Sequence, residues 1–81
     1  MTTVVVTYLH DPPLDDAGLA TFTAKLRKCS EVREVNWVTS YLSLDGKTMF
    51  AVFEAANAEL VVMAHGMSST RYERLYPMRV V

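Results

Sequence analysis

Cysteine is almost missing: Cys29 is the one thiol among 81 residues, so no disulfide can close within the chain. A fold without a covalent staple is expected, with Cys29 reduced in the cytoplasm. Glycine and proline are scarce, three of each, and no internal repeat, low-complexity segment or linker is visible. Three isolated glycines also make no phosphate-cradling loop. No apolar run exceeds that of Leu60-Val61-Val62-Met63-Ala64, far short of the roughly 20 residues that span a bilayer, so no membrane partner is expected. Met1 to Val6 lacks a basic region and a small-residue cleavage site, so a secretory signal is not expected. Charge of one sign is not in excess. Lys and Arg number 8 against 9 Asp and Glu, a formal charge of −1, which argues against nucleic acid as a partner.

What is present is a core. Hydrophobic residues make up 51% of the chain and charged residues 21%, a balance that excludes disorder. The length allows one domain, residues 1–81. A single core of this size stabilises only marginally, so a homodimer or a bound metal is expected to complete it.

Thr3 to Leu9, rich in Val, Thr and Tyr, reads as a strand. Val4-Val5-Val6 is apolar on both faces and suits a central position covered on both sides. Asp11-Pro12-Pro13 ends it. Asp15 or Asp16 then offers a helix cap, and Leu19, Phe22, Leu26 and Cys29 form an apolar helical stripe. Lys25, Arg27 and Lys28 near the helix end complement its dipole. Val32 to Leu44 reads as a long strand, with Val35, Trp37, Thr39 and Tyr41 on one face and Asn36, Val38, Ser40 and Leu42 on the other. Asp45-Gly46 signals a type I′ hairpin leading to a strand over Thr48 to Phe53. Asn57 caps a helix from Ala58 to His65, with Leu60, Val61 and Ala64 inward and Gly66 as its terminator. Thr70 and Glu73 fit a capping box for a short turn over Arg71 to Leu75, and Pro77 opens a last strand from Met78 to Val81.

This order is that of an α+β, ferredoxin-like βαββαβ fold with a four-stranded antiparallel sheet. Helices cover one face only. The other face is also apolar, so a homodimer closed through the open sheet face, a dimeric α+β barrel, is expected.

Val35 to Gly46, with Trp37, the pair Ser40-Tyr41 and Asp45, followed by Phe53-Glu54-Ala55, resembles a small bacterial family of uncharacterised domains. That family is known chiefly through a nickel-binding member and folds as a dimeric ferredoxin-like barrel. The resemblance spans roughly the C-terminal two-thirds of the chain and implies nickel or another divalent metal as a cofactor. Ala51 stands where members often carry a cysteine, Ala55-Ala56 where Ala-Pro is common, and Gly66-Met67-Ser68 where Gly-Leu-Pro is common. A looser resemblance is carried by Ala64-His65-Gly66 with Tyr72 downstream, which is similar to the second helix of small dimeric α+β barrel polyketide cyclases. Those enzymes use a His and a Tyr as an acid/base pair, in a pocket between sheet and helices.

Histidine suits proton transfer near neutrality, so His65 is the leading acid/base candidate, helped by His10, Tyr8 or, by that resemblance, Tyr72. His65 lies beside the core stripe at the helix end, where a surface histidine on the helix dipole explains it equally well. His10 follows the first strand, where a loop histidine is the simpler reading. Tyr8, Trp37, Tyr41, Phe53 and Glu54 are the candidate substrate-binding residues, aromatic walls with one acid; core and interface packing accounts for most of them. No HxH, HxxxH or CxxC pair marks a metal site, and Cys29 on the core stripe reads as a small hydrophobe. The expected function is cofactor-free cyclisation, isomerisation or dehydration of a natural-product-like carbonyl compound. A non-catalytic nickel-binding protein and a plain ligand-binding or dimerisation module are the alternatives.

Overall fold

Strict alternation along β1 (Thr2–Leu9) sends Val4, Val6 and Tyr8 to one face, where all three are buried, and Thr3, Val5 and Thr7 to the other. In the computed structural model, which describes residues 1–81, this strand is central as expected. The elements follow as α1 (Asp16–Val32), β2 (Asn36–Leu42), β3 (Thr48–Ala55), α2 (Ala58–Met67) and β4 (Arg74–Met78). The sheet order is β2-β3-β1-β4 with every pair antiparallel. The architecture is therefore the expected α+β, ferredoxin-like βαββαβ. Met49, Ala51, Phe53 and Ala55 of β3 complete the helix-facing side of the core, where Leu26 and Val61 pack on it from the two helices. Only that face of β1 is covered; Val5 on the other is half-buried.

Several local expectations are corrected. Asp15 caps α1 through its carboxylate, which accepts from the Gly18 N–H at 2.7 Å. The helix then runs on to Val32, so Lys25, Arg27 and Lys28 fall in mid-helix and its last turn holds no cation. Its buried stripe continues from Leu26 to Ser30, not to Cys29, which is half-exposed. At 3.6 residues per turn the i+4 position lies nearer the direction of Leu26 than i+3 does. Glu34, at φ 57°, turns the chain, and Val35 N–H reaches back to Ser30 O at 2.8 Å, so β2 begins only at Asn36.

A bulge between Trp37 and Thr39 breaks the alternation of β2. Trp37 lies opposite Phe53 and Leu42 opposite Met49, both toward the helices, whereas Thr39 and Tyr41 lie opposite Val52 and Phe50 on the open face. The two faces expected for this strand are thus mixed. The β2–β3 connection is a five-residue loop, not a type I′ turn. Gly46 alone takes positive φ, 75°, while the Asp45 carboxylate accepts from Ser43 Oγ at 2.6 Å and Lys47 N–H at 3.0 Å.

Asn57 caps α2 as expected, its side chain accepting from Leu60 N–H at 3.1 Å. Gly66 is inside the helix; Ser68 caps it, and Ser69 takes the left-handed conformation at φ 53°. No helical turn forms over Arg71 to Leu75. Glu73 N–H donates to Thr7 O at 2.7 Å, and β4 pairs with β1 from Arg74 onward. Pro77 sits within β4, opposite Val4, where an edge strand tolerates a residue that cannot donate.

Candidate functional site

The catalytic candidates, distant in sequence, meet in one aromatic file under the helices. His10 stacks on Tyr8 with ring centroids 6.2 Å apart, Tyr8 stacks on His65 at 5.7 Å, and Tyr72 meets His65 edge-on at 5.2 Å. Phe22 flanks His10 and Tyr8 at 4.9 and 5.2 Å, and Phe53 flanks His65 at 5.5 Å.

His65 is placed by Val61. Its Nδ1 lies 2.7 Å from the Val61 carbonyl one turn earlier. A carbonyl only accepts, so Nδ1 carries the proton and Nε2 is left as an acceptor. The Tyr8 hydroxyl, 2.6 Å away, therefore donates to Nε2. Both residues are 1% exposed. Burial holds the His65 imidazole below the ordinary histidine value, opposed by its bond to Val61 O, and drives the Tyr8 hydroxyl far above the ordinary tyrosine value. The pair is a neutral, fully bonded donor and acceptor at neutral pH. His65 thus lies in the core rather than beside it at an open mouth. Val61, four residues back, sets its direction, and Tyr8, Phe53 and Tyr72 close around it.

His10 differs. Its backbone N–H is tied to Lys47 O at 2.7 Å, but its buried Nε2 has no partner. An unbonded buried nitrogen costs about 1–3 kcal/mol. Burial lowers its affinity for a proton as well. The ring borders two clefts. One, of about 390 Å³, lies between α1, with Thr21, Phe22 and Lys25, and the loop from Ser68 to Arg71. The other, of about 440 Å³, lies over the Asp11–Asp15 segment.

The expected substrate-binding residues do not share a wall. Tyr8 and Phe53 are core residues, and Trp37 packs on Phe53 at 5.2 Å under the Arg27 guanidinium, 4.8 Å from its ring centre. Tyr41 and Glu54 lie instead on the open face, Tyr41 67% exposed. Phe50, Tyr76 and Met78 are exposed on that same face, where Thr7, Phe50, Glu73, Arg74 and Tyr76 line a cleft of about 400 Å³. Lys25, Arg71 and Ser69, which line the first cleft, were not among the candidates. The i, i+4 placement of Thr21 and Lys25 was a usable signal; the approach of the Ser68–Arg71 loop was not.

No three His, Cys, Asp or Glu side chains of one chain converge on a point that could hold a metal ion. No helix is long and apolar enough to cross a membrane.

No protein-family model matches the sequence, and no curated protein sequence matches it. The fold is similar to the crystal structure of SCO4226 from Streptomyces coelicolor A3(2), with a TM-score of 0.84, 10% identity and 98% of each chain covered. At that identity the likeness establishes the small ferredoxin-like fold and nothing finer.

Proposed function

We propose that this chain is a cofactor-independent acid–base protein acting on a small carbonyl compound, with His10 as the group that meets the substrate. The observation that carries this reading is the unpartnered Nε2 of His10, in a ring bordering two clefts. Nε2 itself is out of reach of solvent, so the ring must turn to bring it to the cleft edge, where an unpartnered imidazole nitrogen suits proton abstraction next to a carbonyl. Tyr8 and His65 stand behind it as a bonded pair, and Tyr72, 37% exposed, covers the far end. Nickel chemistry is the weaker reading, since a metal would need ligands from more than one chain.

Deuterium exchange into acetylacetone, followed by NMR in deuterated buffer, tests the reading. The wild-type protein is expected to accelerate exchange over buffer, and His10→Gln to remove about 100-fold or more of that acceleration. Exchange that survives His10→Gln in a folded protein rejects His10 as the base.

The working form proposed is a homodimer closed through the open sheet face. Val5, Phe50, Val52, Tyr41, Tyr76 and Met78 share that face, and no helix of the chain covers it. A patch of this character on one side of a small sheet is typical of an interface. Light scattering at micromolar concentration is expected to give twice the chain mass, and Phe50→Glu to give the single chain mass. A wild-type protein of single chain mass rejects the dimer.

A further inference from the structure

The cleft between α1 and the Ser68–Arg71 loop carries two cations and no carboxylate. Lys25 has Thr21, Phe22, Lys28 and Cys29 at three and four residues along its helix, so no acid neutralises it there. Arg71 reaches the cleft from the opposite wall. In a chain of formal charge −1, this is a local concentration of positive charge.

The hydroxyls around the cleft divide into engaged and free. Thr21 Oγ1 donates to Ala17 O at 3.1 Å. Ser68 Oγ lies within 3.0 Å of Ala64 O and 3.2 Å of His65 O, and 2.6 Å from Thr70 Oγ1, so Ser68 and Thr70 satisfy one another and the helix end. Ser69, exposed and held at φ 53° by its left-handed turn, is the hydroxyl left over. Leu9 and Phe22 supply an apolar wall beside it.

We propose that this cleft binds a phosphate monoester of a small organic molecule. Arg71 would take two phosphate oxygens with its planar fork, Lys25 would supply a point charge, and Ser69 would donate to a third oxygen. Two full positive charges match a dianion better than the single charge of a carboxylate. The organic part lies along Leu9 and Phe22, in a volume of about 390 Å³. His10 borders this same cleft, so the proposal names a substrate class for the acid–base reading and rests on it; occupancy is measured without turnover, so the two fail separately.

Amide chemical-shift titrations with phenyl phosphate, benzoate and phenol test it. Phenyl phosphate is expected to give saturable shifts at Lys25, Ser69 and Arg71, with benzoate weaker and phenol silent. The double variant Lys25→Gln/Arg71→Gln is expected to weaken phenyl phosphate about tenfold or more. Arg79→Gln, the same loss of charge at an exposed position outside the cleft, is expected to leave it unchanged. Absence of saturation at millimolar phenyl phosphate, benzoate binding as tightly, or an equal loss in Arg79→Gln would each overturn the proposal.

Discussion

Alanine at position 65 is expected to destabilise the fold by about 3–5 kcal/mol, measured by urea unfolding at neutral pH. The side chain is 1% exposed and packed between Tyr8, Phe53 and Tyr72, so its removal opens a cavity in the core. It also strips the Tyr8 hydroxyl of its acceptor at a depth that water does not reach. A domain of this length has roughly 4–12 kcal/mol in total, so the variant is expected to lose a large share of its stability and to unfold at a clearly lower urea concentration. A loss under about 1 kcal/mol would show that the site collapses without penalty and that the Tyr8–His65 bond is incidental.

The same residue sets a pH dependence. Burial lowers the folded-state value of His65, and of His10 in the same direction. Below about pH 6.5 the unfolded chain binds protons that the folded chain refuses. Stability is therefore complete above that pH and is lost as pH falls from there toward the lowered folded values. His65 contributes a limiting slope of about 1.4 kcal/mol per pH unit in that window. Unfolding free energies between about pH 7.5 and pH 5.5 are expected to decline in the wild type, and an unchanged value across that range would contradict the neutral pair.

Gly46→Ala is the second large effect, about 2–4 kcal/mol, despite being a change of one methyl group in a loop. Gly46 has φ 75°, which an L side chain adopts at a cost. A Cβ there would stand 2.6 Å from Leu14 O and 3.1 Å from Leu14 N. Those are backbone atoms, and Leu14 N–H donates to Gly46 O at 2.9 Å, so the two loops cannot separate without losing that bond. The neighbouring tie from His10 N–H to Lys47 O belongs to the same junction, so the change is also expected to loosen His10. Thermal unfolding is expected about 10 °C or more lower. Gly66→Ala is the control: it sits inside α2 with nothing within 4 Å of the added atom, and is expected to be neutral or stabilising. Equal losses from the two glycines would remove the loop contact as the cause.

Periodicity carried the reading of β1, α1, β3 and α2, because each buries one face against a single layer and its apolar spacing reports that face directly. It failed at β2 and β4, the two edge strands. Edge strands are held from one side, so a bulge at Trp37–Thr39 or a proline at position 77 is tolerated there and leaves no mark in the apolar spacing. The Thr70–Glu73 capping pattern failed for a related reason. Thr7 O on the central strand offered Glu73 N–H a better partner than an isolated helical turn could.

The candidate site shows the same division. Histidines and tyrosines suited to proton transfer were visible as residue types, and His10, His65, Tyr72 and Tyr8 do stand together. Their roles were not visible. The bond between Tyr8 and His65 joins residues 57 apart, and the cleft of Lys25 and Arg71 exists only where a loop folds over a helix. The sequence by itself determined the order of elements and the apolar character of both sheet faces, since these follow from local spacing. Tertiary structure decided which histidine is sealed into the core and which borders a cleft, because burial and hydrogen-bond partners belong to pairs of distant residues and to no single stretch of chain.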